Sequence, residues 1–333
     1  MKKLTLFLIS LTVYMSSSTA AHRQQITDSS ITYIHSEKAS FTSRIIQNMS
    51  SLFGVKKGRD IIKKVNQSTT TEVPTPVPKS MYKKYDIEES TINNRKVWTI
   101  KPKVNASNKV ILYLHGGAYV STIKKYHWKF AEDLILKTNA TIVIPDYPLA
   151  PSSNCENSID LVGQVYQELL KKYSPENIDL MGDSSGGGLA LGFAMQLSKE
   201  NKPQPNQIIL LFPWLDVTMS NEDILEIDKK DKLLGIEPLQ IAGKVFAGDL
   251  DLKDYRVSPI YGDFSGLGKI SVFIGTHDLL VADCRKLKRI AETSNISMNY
   301  FEYPKMFHGW VLLTSMKEGK VALKQISTLI GNE

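Results

Sequence analysis

Between the apolar run Ile178–Met181 and the small, apolar stretch Ser185–Lys199 stands Gly182-Asp183-Ser184-Ser185-Gly186, continued by Gly187 and Gly188. Few folds accommodate such a segment. A buried strand that turns directly into a helix crowds its own backbone, so the residues around the turn must be small. The side chain at its tip is held out from the sheet.

The rest of the chain supplies the sheet this turn requires. Strands are expected at Lys96–Ile100, Val110–Leu114, Thr141–Pro145, Ile178–Met181, Gln207–Phe212, Ile270–Ile274 and Met298–Tyr303. Several are continuous apolar runs, such as Ile208-Ile209-Leu210-Leu211-Phe212, which suits strands buried on both faces of a mainly parallel sheet. Helices are expected between them at Tyr126–Lys137, Cys155–Lys172, Ser185–Lys199, Val281–Thr293 and Lys317–Leu329. This alternation predicts an α/β fold with helices on both faces of the sheet. The stretch Val217–Ser258 interrupts it and carries one helix, Glu237–Phe246. An insertion there would sit beyond the strand ends, where ligands bind in such sheets.

The first quarter reads differently. Met1-Lys2-Lys3, the apolar run Leu4–Met15 and the small-residue tail with Ser18-Thr19-Ala20 form the three parts of a secretory signal, assigned to residues 1–20. Export, as a secreted or cell-surface protein, is the expectation. The rival is an uncleaved membrane anchor, although the run falls short of the roughly 20 residues a span needs. Residues 21–79 hold one amphipathic helix around Phe41, Ile45, Ile46, Met49 and Phe53, a second around Ile61, Ile62 and Val65, and the linker Thr69–Lys79. Alternating prolines at 74, 76 and 78 forbid helix there and favour extended chain. The main domain is expected over 80–333.

Ser184, in strand–turn–helix context, is the candidate nucleophile. Attack on an acyl carbon builds an oxyanion, which exposed backbone N–H groups must stabilise. His115-Gly116-Gly117-Ala118-Tyr119 directly after Val110–Leu114 supplies residues without bulk, and Ser185 follows the nucleophile. The base should lie in a loop after the last strands, and of the six histidines His308, in Phe307-His308-Gly309-Trp310, fits. The acid should lie between the two, just past a strand end. Asp278 fits best, Asp216 is the reserve, Asp283 reads as a supporting or capping residue, and His277 reads as a loop residue. The aromatics Tyr119, Trp214 and Trp310 would suit an apolar acyl or aryl group.

On these motifs the chain resembles the hormone-sensitive-lipase-like carboxylesterases of the α/β-hydrolase superfamily, from about Lys109 to the C-terminus. Pro145-Asp146-Tyr147-Pro148-Leu149-Ala150-Pro151 is similar to the family's D-Y-R-L-A-P segment, and Val257-Ser258-Pro259 also matches. The resemblance implies an α/β-hydrolase fold with a helical cap made from the N-terminal helices and the insertion at about 217–258. It implies Ser184, Asp278 and His308 as a triad and oxyanion donors at Gly117, Ala118 and Ser185 with Gly116 in the same turn; beside these, Tyr119 and Trp214 are the candidate substrate-binding residues by their aromatic character. The substrates would be short- to medium-chain esters, acetyl esters among them, hydrolysed through an acyl-enzyme. No metal or organic cofactor is implied. The chain departs from the family at Ala118 (usually glycine), Ser185 (usually alanine) and Pro148 (usually arginine).

Composition narrows the alternatives. The net charge is +7, but the basic residues are scattered as pairs such as Lys56-Lys57 and Lys83-Lys84, with no nucleic-acid signature. Such a charge is compatible with loose association with an anionic membrane or cell surface. Two cysteines, Cys155 and Cys284, make no disulfide framework and read as free thiols. The rivals to an enzyme are a ligand-binding protein on an inactive hydrolase fold and a surface adhesin; an intact triad argues against both.

Overall fold

The computed structural model describes residues 30–52, 58–67 and 73–331. The signal-like segment 1–20 therefore lies outside the described residues, as do Phe53 and the first part of the linker. Residues Ile31–Glu333 form one compact unit.

In chain order the elements are β1 (Thr32–Ile34), α1 (Phe41–Leu52), α2 (Arg59–Val65), α3 (Lys79–Lys84), β2 (Tyr85–Ile92), β3 (Arg95–Pro102), β4 (Val110–Leu114), α4 (Lys125–Thr138), β5 (Thr141–Pro145) and α5 (Cys155–Leu170). Then follow β6 (Ile178–Asp183), α6 (Ser185–Lys199), β7 (Gln207–Leu211), α7 (Ile224–Asp228), α8 (Ile236–Ala247), β8 (Lys269–Gly275), α9 (Val281–Thr293), β9 (Met298–Tyr303) and α10 (Lys317–Ile330).

The strands form one nine-stranded sheet in the order β1-β9-β8-β7-β6-β4-β5-β3-β2. Among the described residues only the β2–β3 and β3–β5 pairs are antiparallel. Every residue of β4, β5 and β7 is buried, so both faces of the sheet are covered. Helices α4 and α10 pack on each other, and so do α5 and α6.

Two strands escaped the sequence. β2 lies at the sheet edge and alternates exposed and covered residues, so it has no apolar run. Its turn into β3 is Asn93-Asn94, both at positive φ (46° and 59°), the conformation of a two-residue hairpin. β1 falls within the N-terminal part read as helical. It has three residues and exists through its parallel pairing with β9, Tyr33 opposite Phe301.

The proline segment is extended, as expected, but docked. Thr75 N–H donates to the Ile123 carbonyl, its own carbonyl accepts Trp128 Nε1–H at 2.8 Å, and Val77 is buried. The N-terminal helices join the insertion. A Cβ on Gly58, which precedes α2 at φ +71°, would lie 2.6 Å from Pro238 of α8. This helical layer reaches the loops after β4 and β8: Lys64 donates to Ser121, and Gln47 Nε2 lies 2.7 Å from His277 Nδ1. Among the described residues no helix is long and apolar enough to cross a membrane. Cys155 and Cys284 are both free and buried.

Candidate active site

The turn after β6 is as tight as its glycines imply. Ser184 caps α6 at φ 52°, ψ −122°, a conformation costly for a residue with a Cβ and held here by surrounding bonds. Its N–H donates to the Leu211 carbonyl at 2.9 Å, and its carbonyl accepts N–H groups from Gly187, Gly188 and Trp214. Gly186 must be small because a Cβ would lie 2.1 Å from the Leu114 carbonyl oxygen. The serine is thus pinned between β7, α6 and the loop after β4.

Three chain-distant residues meet at this tip. His308 Nε2 lies 3.0 Å from Ser184 Oγ, and its Nδ1 lies 2.9 Å from Asp278 Oδ2. Asp278 is fully buried, and its Oδ1 accepts the Leu280 N–H at 3.0 Å. Burial alone would lower the His308 pKa, but the charge and hydrogen bond of Asp278 outweigh it, and Asp231 and Asp183 add to them, so the imidazole titrates above its usual range. The reserve acid Asp216 is occupied elsewhere, accepting the Thr218 N–H at 2.8 Å and the Tyr261 hydroxyl at 2.7 Å. Asp283 lies buried in the first turn of α9, accepts from Asn221 at 2.8 Å, and is pushed up to about 6, mainly by burial.

The loop after β4 faces the serine. The N–H groups of Gly117, Ala118 and Ser185 donate to no group among the described residues, which leaves them available to an incoming oxygen. Gly117 and Ala118 both have positive φ (135° and 53°). Gly116 must be removed from this set. Its N–H is taken by Asp183 Oδ1 at 2.9 Å, so it braces the loop instead of serving an oxyanion. The same oxygen accepts the Tyr113 hydroxyl at 2.5 Å, and His127 Nε2 stands 3.5 Å from the other. Burial opposes the charge on Asp183, yet His127 and these donors hold its pKa below the ordinary value.

Other residues brace this loop. Ser185 Oγ accepts the Tyr119 N–H at 3.3 Å, so the serine that departs from the family's alanine clips the loop to the elbow. Tyr147, from the segment after β5, donates to the His115 carbonyl at 2.6 Å. His115 is fully buried and stacks on Tyr147; burial pushes its pKa down to about 4, so it stays neutral.

The aromatic expectations need correction. Tyr119 and Trp214 are both fully buried and stack on each other, and Phe246 of α8 lies parallel to Tyr119 at 3.6 Å. Trp310 is buried against Tyr303. These rings pack the space behind the loop and present no open wall to a substrate. A cavity of about 740 Å³ lies elsewhere, between β2–β3 and α5–α6, lined by residues including Ile92, Val97, Gly163 and Phe193, and shares no residue with this site.

Comparison with known proteins agrees with the geometry. The family model described as alpha/beta hydrolase fold matches residues 111–312. An esterase of Acinetobacter venetianus is 32% identical over 231 residues, 68% of this chain and 76% of that protein. A triacylglycerol lipase of Mycobacterium tuberculosis is 26% identical over 246 residues, 74% of this chain and 51% of that protein. In fold, an esterase of the bacterial hormone-sensitive lipase family superposes with a TM-score of 0.74 at 23% identity, covering 88% of this chain and 98% of that one.

Proposed function

We propose that this chain, which belongs to the alpha/beta hydrolase fold family and is a serine ester hydrolase, uses Ser184, Asp278 and His308 as its triad on short- to medium-chain esters. The observation that carries this reading is the chain of contacts from Ser184 Oγ through His308 to Asp278, at 3.0 and 2.9 Å. His308 takes the serine proton through Nε2 as Oγ attacks the ester carbonyl, while Asp278 orients the ring and stabilises the imidazolium. The N–H groups of Gly117, Ala118 and Ser185 hold the tetrahedral oxyanion. His308 then gives the proton to the leaving alcohol. Water, activated by the same nitrogen, releases the acid and frees Ser184.

The preference for short acyl groups is supported by the cover over the nucleophile. Ser184 is 9% exposed, and the stack of Trp214, Tyr119 and Phe246 fills the space beside its loop. The helical layer acts as a cap that limits the acyl chain. The relatives' names, an esterase and a triacylglycerol lipase, leave the length open. The reading also includes export through residues 1–20, supported by their charged, apolar and small-residue order, and loose association with an anionic surface, supported by the net charge. Fractionating expressing cells tests both: activity that stays in the cytosol would refute export.

The deciding experiment is hydrolysis of p-nitrophenyl acetate, butyrate, octanoate and palmitate by the purified protein beside Ser184→Ala. Turnover should fade with chain length and fall about 10⁴- to 10⁶-fold in the alanine variant. Palmitate as the best substrate would overturn the length preference. An active alanine variant would overturn the triad.

A further inference from the structure

We propose that Asp231 is a positioning residue for hydrolysis: it anchors the loop carrying Asp278 to the helical layer and stands as a second fixed negative charge behind the triad. This rests on the triad assigned above. In sequence Asp231 is unremarkable, set between Lys230 and Lys232. In the fold the lysines are exposed and Asp231 is fully buried.

Its carboxylate accepts three backbone N–H groups. Oδ1 takes Leu233 at 2.7 Å and Leu234 at 2.9 Å, closing its own turn before α8. Oδ2 reaches across the chain to Leu279 N–H at 2.7 Å, the residue next to Asp278. That bond fixes the peptide immediately after the triad acid. Asp278 Oδ1 is then held on the Leu280 N–H, and Oδ2 points at His308.

The arrangement is expensive for the fold. Burial and the nearby Asp278 charge push Asp231 up to about 6, so an ionised Asp231 at neutral pH is held against two opposing effects. Closing a turn needs no such residue, since a neutral acceptor such as asparagine can do it. The charge, held on the peptide next to Asp278, instead acts on the imidazole, favouring its protonated form. The acidic groups whose charge favours the imidazolium are Asp278 after β8, in contact with it, then Asp231 before α8 and Asp183 at the end of β6. His277, beside Asp278, faces Lys230, Lys232 and Lys305.

The test measures kcat and KM against pH on p-nitrophenyl butyrate for the wild type, Asp231→Asn, Asp231→Glu and Ser184→Ala, with thermal unfolding of each. Asp231→Asn should lose about ten- to a hundredfold in kcat, the scale of a misplaced catalytic group, with KM near wild type. The acid limb should move to lower pH, because one charge favouring the imidazolium is gone. Asp231→Glu should return the limb to its wild-type position while recovering only part of kcat. A folded Asp231→Asn with wild-type kcat, or one that loses kcat with the limb unmoved, overturns the inference. If the asparagine variant does not fold, the glutamate variant decides: lower kcat with the limb in place supports the role, and wild-type kcat overturns it. Ser184→Ala separates the two readings. Activity there near the wild-type level defeats the triad, whereas a Ser184→Ala lowered by about 10⁴-fold or more beside an unchanged Asp231→Asn defeats only the role of Asp231.

Discussion

Gly186→Ala perturbs the turn without touching a reacting group. The new Cβ would lie 2.1 Å from the Leu114 carbonyl oxygen and 2.6 Å from that of His115, against an ordinary contact of 3.4 Å or more. Both neighbours are backbone at the end of β4, so neither can rotate aside. Relief requires the N-terminus of α6 to retreat by roughly 1 Å, and Ser184, as its cap, moves with it. Overpacking of this kind costs about 1–3 kcal/mol of stability. A 1 Å misplacement of a reacting group costs about a hundredfold in rate, or about 2.7 kcal/mol of barrier. The expected result is a folded protein whose thermal midpoint drops by several degrees and whose kcat on p-nitrophenyl butyrate falls about a hundredfold. Steady-state kinetics beside a melting curve reads both. A folded Gly186→Ala with wild-type kcat would refute the claim that backbone crowding at this turn sets the position of the nucleophile.

Three further outcomes follow from the same geometry. Because Asp278 holds the His308 pKa above that of a free imidazole, about 6.5, the rate should fall on acidification from above that value, and a limb at or below 6.5 in a pH–rate profile would contradict it. Stability runs the other way. The raised folded-state pKa contributes stability fully present below the unfolded value and lost as pH rises through the folded one; Asp278→Asn should remove this pH dependence from melting curves. Burial pushes the thiols of Cys155 and Cys284 up, so a disulfide reagent should find no reactive thiol in the native protein and two in denaturant; rapid native reaction with loss of activity would refute it.

Legibility in the sequence followed locality. The central strands could be read because burial on both faces leaves a continuous apolar run, as in β4 and β7. β2 could not, since its pattern is that of an exposed edge, though Asn93-Asn94 was a usable hairpin signal. β1 has no local signal at all; three residues become a strand only because β9 offers an edge. Ser184, Asp278 and His308 were singled out through chain order and strand ends, features that the fold fixes in sequence, and the fold brings their side chains within 3.0 and 2.9 Å of one another. Gly116 was grouped with its neighbours because a motif counts residues, whereas the direction of each N–H depends on backbone angles and on Asp183. Asp231 was hidden by its lysine neighbours, since nothing local says that one of three adjacent charged residues turns inward.

The misplacement of Tyr119 and Trp214 has the widest consequence. An aromatic residue after a strand end can line a cleft or pack beneath it, and the choice here is made by Phe246, far along the chain, whose ring lies 3.6 Å from Tyr119 and within 3° of parallel. The helical layer therefore bears on the machinery at several points: Phe246 on the loop after β4, Gln47 on His277, and Asp231 on the peptide after Asp278. A layer that only screened substrates would affect KM alone. One that braces the oxyanion loop must affect kcat as well. Phe246→Ala decides between them. Removing a fully buried phenylalanine costs about 3–5 kcal/mol in stability, and the freed Tyr119 ring should let Gly117 and Ala118 drift. The expected result on p-nitrophenyl acetate, too small to need the acyl space, is a kcat lowered about tenfold or more in protein still folded at the assay temperature. If acetate turnover is unchanged and only longer esters improve, α8 is a screen over the acyl group and the brace does not exist.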